Sequence, residues 1–208
     1  MSSDIVQGDK TGDEPLSEKL KTYLKHKYNK PGNVFLGVVH RLDRPVSGAL
    51  VFAKTGKALS RLNNMIKERA IKKSYWAIVK NKPEKESGHL INYLIKNQNK
   101  NKSFVLKKQS EGSLKAELKY NLLGRSDKFF LIEINLLTGR HHQIRAQLAH
   151  IGSPIKGDIK YGYHTTNKDA SISLHSRKIE FIHPVKKEKI EIIAPVPDDV
   201  LWNYFKTF

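Results

Sequence analysis

The chain contains no cysteine, which excludes disulfide staples, thiolate nucleophiles and cysteine-ligated metal sites together. Acidic residues are scarce beside basic ones: 20 Asp and Glu stand against 38 Lys and Arg, a formal net charge of +18. No apolar run approaches the roughly 18 residues a membrane span requires. The sequence also lacks a Gly-rich phosphate loop, a Gly-x-Ser-x-Gly elbow and a His-Glu-x-x-His pair, the usual supports of nucleotide-loop, serine-hydrolase and zinc-protease chemistry. Nine histidines occur, yet their spacing offers no ligand set, and His141 and His142 are adjacent and so point apart on a helix. Neither a metal nor an organic cofactor is expected. The opening Met1-Ser2-Ser3-Asp4 has neither the basic start and apolar core of a signal peptide nor the Arg-rich, acid-poor character of a transit peptide, and the cytoplasm is the expected compartment.

What is present describes a folded protein that attracts polyanions. With 208 residues, 38% hydrophobic and 28% charged, the chain suits one well-buried domain rather than two. Its charge favours nucleic acid, because neutralising phosphates releases counterions. Part of that charge is localised: between positions 54 and 82 stand Lys54, Lys57, Arg61, Lys67, Arg69, Lys72, Lys73, Lys80 and Lys82, with Glu68 as the lone acid.

Periodicity divides the chain into elements. Pro15 to Tyr28 places Leu16, Leu20, Tyr23 and Leu24 at helical spacing, and Lys57 to Arg69 does the same with Leu59, Leu62 and Ile66. Val34 to Val39 and Ala49 to Ala53 read as short strands around a loop from His40 to Gly48. Strands are then predicted over Lys73 to Val79, His89 to Lys96, Ser103 to Lys107, Lys115 to Leu122 and Phe129 to Leu136. The polar turn Asn97 to Lys102 is a candidate for loop contacts to a partner. His141 to Ile151 reads as a helix with Ile144, Leu148 and Ile151 on its apolar stripe, and with Arg145 reaching out of the core. Strands over Ser171 to His175, Arg177 to His183 and Lys189 to Ala194, and a helix near Asp198 to Phe205, complete the pattern. Consecutive strands without alternating helices predict an α+β fold: a central mixed, largely antiparallel sheet flanked by helices, with a basic cleft.

The chemical centre of the sequence is His40-Arg41-Leu42-Asp43-Arg44, closing at Ser47-Gly48. Neighbouring guanidinium groups favour the ionised form of a carboxylate, so Arg41 and Arg44 are expected to hold the Asp43 pKa down.

Four ordered blocks closely resemble the RluA-type family of RNA pseudouridine synthases. They are His40-Arg41-Leu42-Asp43-Arg44 with Ser47-Gly48; Lys73, Tyr75, Ala77 and Val79; Thr138-Gly139-Arg140 with His142-Gln143-Ile144-Arg145; and Ile151-Gly152, Pro154-Ile155, Gly157-Asp158 and Tyr161-Gly162. The resemblance runs from about Asp4 to Ala194. It implies an isomerase that cleaves the C1′–N1 bond of a uridine in ribosomal or transfer RNA and rejoins C1′ to C5, with Asp43 as the catalytic carboxylate. It implies further that Tyr75 stacks on the target base and that Arg145 pairs with Asp43. Arg41 would enter the space vacated by a flipped base, with His40, Arg44, Lys73, Arg140 and His142 as supporting or RNA-facing residues. An ionised carboxylate can act on the sugar by attack at C1′ or by removing the 2′ hydrogen, and both routes remain open. His40 is expected to brace its loop through a backbone hydrogen bond rather than to transfer protons.

Two departures from the family pattern stand out. The strand and Lys-Pro-x-Gly turn that usually open the domain are missing, so a single catalytic domain over 1–208 without that strand is expected, and Gln147 stands where a histidine is common. A monomer acting on structured RNA, with no membrane and no obligate protein partner, follows. The alternatives are a non-catalytic RNA-binding protein on the same scaffold and a carboxylate glycosidase, which would need a second acid and which the charge disfavours.

Overall fold

A computed structural model describes residues 4–8 and 12–208. The opening residues 1–3, read above for targeting signals, lie outside the described residues. Leu16–Lys27 (α1) follows Pro15, which is extended at φ −69° and ψ 150°, and it ends in Lys25, His26 and Lys27 at the negative pole of its dipole. Gly37–Val38 (β1), Ser47–Gly48 (β2) and Phe52–Ala53 (β3) are short strands around the Asp43 loop. Gly56–Lys67 (α2) is capped by Thr55, whose hydroxyl accepts from the Ala58 amide at 3.1 Å.

The long strands follow: Lys72–Val79 (β4), Ser87–Asn97 (β5), Lys102–Leu106 (β6), Leu114–Arg125 (β7) and Phe130–Leu136 (β8). Gln143–His150 (α3) comes next, then Leu174–Ile182 (β9), Lys189–Ile193 (β10) and Val200–Phe205 (α4). Asp199 caps α4 by accepting from the Leu201 amide at 2.9 Å. Among the described residues, β10, β9, β4, β8, β7, β5 and β6 lie side by side in that order, with every neighbouring pair antiparallel. β2 adds to β9 in parallel, so the sheet is mixed and largely antiparallel, and the fold is α+β.

Both faces of β4 are covered, which explains why Ser74 to Val79 is buried without alternation. Tyr75, Ala77 and Val79 pack with Ile144 and Leu148 of α3. Trp76 and Ile78 pack on the other face with Trp202 and Phe205 of α4. β7, by contrast, alternates, with Ala116, Leu118 and Tyr120 buried and Lys115, Lys119 and Asn121 exposed.

Several element boundaries differ from the sequence expectation for identifiable reasons. The strands expected over 34–39 and 49–53 shrink to the paired residues Gly37↔Ala53 and Val38↔Phe52. Nearby, the Val51 amide donates to the His40 ring at 3.2 Å instead of to a ladder. The loop expected through Gly48 ends earlier, because Ser47–Gly48 pairs with His175–Ser176 on the stretch of β9 that β10 leaves open. The two strands expected over 171–183 are one, and Ser171 to Ser173 is tied elsewhere: Ile172 donates to Pro45 O at 3.0 Å and Ser173 to Lys156 O at 2.8 Å. The helix expected from His141 starts at Gln143, since His142 adopts the left-handed conformation at φ 51°.

Gly48 is the residue that fixes how the Asp43 loop meets the sheet. Its φ is +119°, and a Cβ there would lie closer than 3.0 Å to the Ser176 backbone. Gly48→Ala is therefore expected to destabilise the fold by about 2 kcal/mol or more in urea unfolding, with the Asp43 loop displaced.

Candidate active site

An open cleft of about 1000 Å³ lies where the Asp43 loop, the start of β4 and the turn before α3 converge. Asp43 is presented by a tight turn in which Val46 N donates to Asp43 O at 2.9 Å, and its side chain remains 29% exposed. The carboxylate meets Arg145, 102 positions away in sequence, whose Nη1 donates to Asp43 Oδ2 at 3.1 Å. The same guanidinium makes a bidentate contact with Asp158, donating from Nε to Oδ2 at 2.7 Å and from Nη2 to Oδ1 at 2.8 Å. Arg145 and Asp158 side chains are only 6% and 1% exposed. Arg145 does not reach out of the core, as its helical position suggested; a fork with two carboxylate partners is what allows it to turn inward.

This arrangement also corrects the expected electrostatics of Asp43. Burial pushes its carboxyl above the ordinary aspartate range; Arg145 opposes the rise, Asp158 adds to it, and Arg41 opposes it last. Arg44, expected to hold the pKa down, instead pairs with Asp13, Nη1 to Oδ2 at 2.8 Å. It is absent from the residues lining the cleft, unlike the other eight expected site residues.

Tyr75 lies on doubly covered β4 at the cleft wall, and burial pushes its hydroxyl up to about 12, so the phenol keeps its proton at neutral pH. Lys73, on the same face two positions earlier, has its pKa lowered by burial. His40 accepts from the Val51 amide, the bracing role expected of it, and burial with the charge of Lys73 drives its pKa down to about 4. Arg41 lines the cleft beside Asp43. Arg140 is exposed at the far wall and donates from Nε to Lys115 O at 2.9 Å. Its turn is knitted by the Gln143 side-chain oxygen, which accepts from the Thr138 hydroxyl at 2.8 Å and the Arg140 amide at 3.0 Å.

His142 is buried at the cleft wall. Its Nε2 lies 3.7 Å from Asp43 Oδ2, its Nδ1 lies 3.1 Å from the Tyr161 hydroxyl, and its ring stacks on His141 at 3.8 Å. Burial, reinforced by Arg145, lowers its pKa to about 2, so it is neutral. Gln147, the departure noted above, is buried and donates from Nε2 to Asn92 Oδ1 at 2.8 Å.

Two residues of the site carried no assignment in sequence: Asp158 and Tyr161. Both sit in the Gly157-Asp158-Ile159-Lys160-Tyr161-Gly162 segment, where Ile159–Tyr161 forms a single 3-10 turn. The available signal was an acid directly after a glycine, Gly157-Asp158, in a block that matched the family pattern.

The fold and site together define an α+β domain with one cleft carboxylate held by a buried arginine. Residues 4–150 match the family described as RNA pseudouridylate synthase. The chain is 35% identical over 174 residues to the ribosomal large subunit pseudouridine synthase C of Buchnera aphidicola, covering 80% of this chain and 55% of that protein. It is also 35% identical over 170 residues to an uncharacterized RNA pseudouridine synthase of Mycoplasma genitalium, covering 81% and 54%. The solved structure of human RNA pseudouridylate synthase domain containing 4 shares the fold, with a TM-score of 0.79 at 20% identity over 97% of this chain and 85% of that one. The chain belongs to the RluA-type family of RNA pseudouridine synthases, and it spans about half the length of the curated relatives it matches.

Asp158→Asn strips the buried guanidinium of its bidentate partner. The variant is expected to lose roughly 3 kcal/mol of stability in chemical denaturation, as breaking a buried ion pair does.

Proposed function

We propose that this chain isomerises uridine to pseudouridine in structured ribosomal or transfer RNA, with Asp43 as the catalytic carboxylate. The observation that carries this reading is Asp43 itself: partly exposed, facing the cleft, and oriented by Arg145 at 3.1 Å. The reaction breaks C1′–N1, rotates the base, joins C1′ to C5 and releases the C5 hydrogen. Asp43 serves it by attack at C1′ or by taking the 2′ hydrogen.

A stacked uridine hides these atoms, so the nucleotide must leave the stack at a cost of a few kcal/mol. Tyr75, held rigid and protonated, supplies a ring face for the extruded base. Arg41 fills the space the base vacates. Lys67, Arg69, Lys72, Lys73, Lys119 and Arg140 line the same cleft, and cations so placed suit the phosphates on either side of the target. Lys73 and Arg140 act there, and His40 and His142 support the Asp43 loop from behind. Arg44, paired with Asp13, serves RNA only outside the cleft. The protein works without a metal or organic cofactor, as a cytoplasmic monomer; among the described residues no helix is long and apolar enough to cross a membrane.

RNA tritiated at uridine C5 tests the reading. Label is expected in water with the native chain, and release is expected to fall at least a thousandfold, about 4 kcal/mol, with Asp43→Asn; unaltered release would remove Asp43 from the chemistry. The pH profile carries a second expectation. Asp43 must be ionised, and its pKa is raised from 3.8, so kcat/KM is expected to fall with acidification along a limb centred above that value. A limb at or below 3.8 would contradict the buried setting of the carboxyl.

A further inference from the structure

Tyr161 touches the surroundings of Asp43 twice and is fastened to the β5–β6 hairpin. Its ring lies against Arg145, with Cζ 5.1 Å from the ring centroid. Its hydroxyl accepts from the Ser103 amide of β6 at 2.8 Å and lies 3.1 Å from His142 Nδ1.

The hydroxyl has one proton, and these contacts decide where it goes. Since the oxygen already accepts from Ser103, the arrangement that gives its proton an acceptor has it donated to His142 Nδ1. His142 is neutral, so its own ring proton then sits on Nε2. That nitrogen faces Asp43 Oδ2 at 3.7 Å, too far for a hydrogen bond but close enough for the sign of the facing dipole to matter in a desolvated site. The opposite tautomer would turn a lone pair toward a carboxylate whose neighbour Asp158 is already negative. The ring cannot swing away: its backbone is held at φ 51°, and His141 stacks on it at 3.8 Å. His141 is itself tied to the hairpin, with Nδ1 2.9 Å from the Ser103 hydroxyl and Nε2 3.1 Å from Asn101 Oδ1.

We propose that Tyr161 is a positioning residue whose hydroxyl, anchored by the Ser103 amide, fixes His142 in the tautomer that presents an Nε2–H to the Asp43 carboxylate. The hairpin thereby sets the electrostatic face that Asp43 meets, although neither Ser103 nor Tyr161 lines the cleft. The catalytic consequence rests on Asp43 being the reacting group, while the tautomer does not.

Two measurements on the full chain test this. Nitrogen-15 imidazole spectra of the native protein are expected to show His142 with bare Nδ1 and protonated Nε2, and Tyr161→Phe is expected to lose that preference while keeping the ring against Arg145. A native His142 protonated on Nδ1, or an unaltered tautomer in the variant, overturns the proposal. In tritium release, Tyr161→Phe is expected to lower kcat about three- to tenfold, the worth of one hydrogen bond, with KM unchanged. In a His142→Ala background the same change is expected to cost nothing further, because Tyr161 acts through that ring. Equal losses in both backgrounds overturn it. If the native chain releases no label from any RNA, the isomerase reading fails, and the spectra still decide the tautomer.

Discussion

A guanidinium left 6% exposed cannot rest on a single carboxylate. Arg145 has surrendered most of its hydration, and the Coulomb attraction of one partner does not offset that loss unless the remaining donors are also satisfied. Asp158 supplies the fork-to-fork contact and Asp43 takes the remaining direction. Three segments distant in sequence must therefore close together before the charge is neutralised. The cleft is in this sense a by-product of satisfying one arginine. Because Asp158 holds two of the three bonds, Asp43 is left with spare acceptor capacity facing the open side.

The Asp43 loop is held from its other end by contacts that involve no charge. Ser47 Oγ meets His175 Nδ1 at 2.8 Å in the core, and β2 lies along β9 so closely that Gly48 has no room for a side chain. Burial drives the pKa of His175 down to about 4, which keeps this anchor neutral. Tyr75 stands on a strand covered by α3 on one face and α4 on the other. The Asp43 loop and the Tyr75 wall are thus both fixed by core packing, whereas Lys67, Arg69, Lys72, Lys119 and Arg140 of the same cleft are long and exposed. Such a division gives geometric precision at the carboxylate and conformational freedom among the exposed cations.

Much of this architecture was legible in the sequence, and the losses follow a physical pattern. The long sheet strands and α2 lie within a few residues of expectation because their own side chains create the periodicity. The errors fall where pairing is decided elsewhere in the chain. β2 exists because β9 has an unpaired stretch, and α3 starts late because His142 is drawn into the left-handed region beside Tyr161. Arg145 illustrates the same limit: its place on the helix suggested an outward side chain, and only Asp158, thirteen residues later, shows why it turns in. Arg44 is the converse, since adjacency to Asp43 in sequence placed it in the site while its side chain found Asp13. The resemblance supplied the Asp43–Arg145 pairing that local reasoning could not, but it left Asp158 and Tyr161 without tasks.

The charge around Asp43 is set by which of its neighbours are ionised. Asp43, Arg145 and Asp158 together sum to one negative charge when ionised, and His40, His141 and His142, with pKa values driven to about 4, 4 and 2, add no positive charge at neutral pH. Arg41 and Lys73 line the same cleft, and the charge of Arg41 acts on the Asp43 carboxyl. The buried Asp158 claims two of the three hydrogen bonds that Arg145 gives to carboxylates, and among the described residues no other Lys or Arg side chain forms an ion pair with Asp43. The polar groups that meet the Asp43 carboxylate are thus the Arg145 guanidinium at 3.1 Å and, at 3.7 Å, an uncharged His142 ring, a setting that orients the carboxylate without covering it.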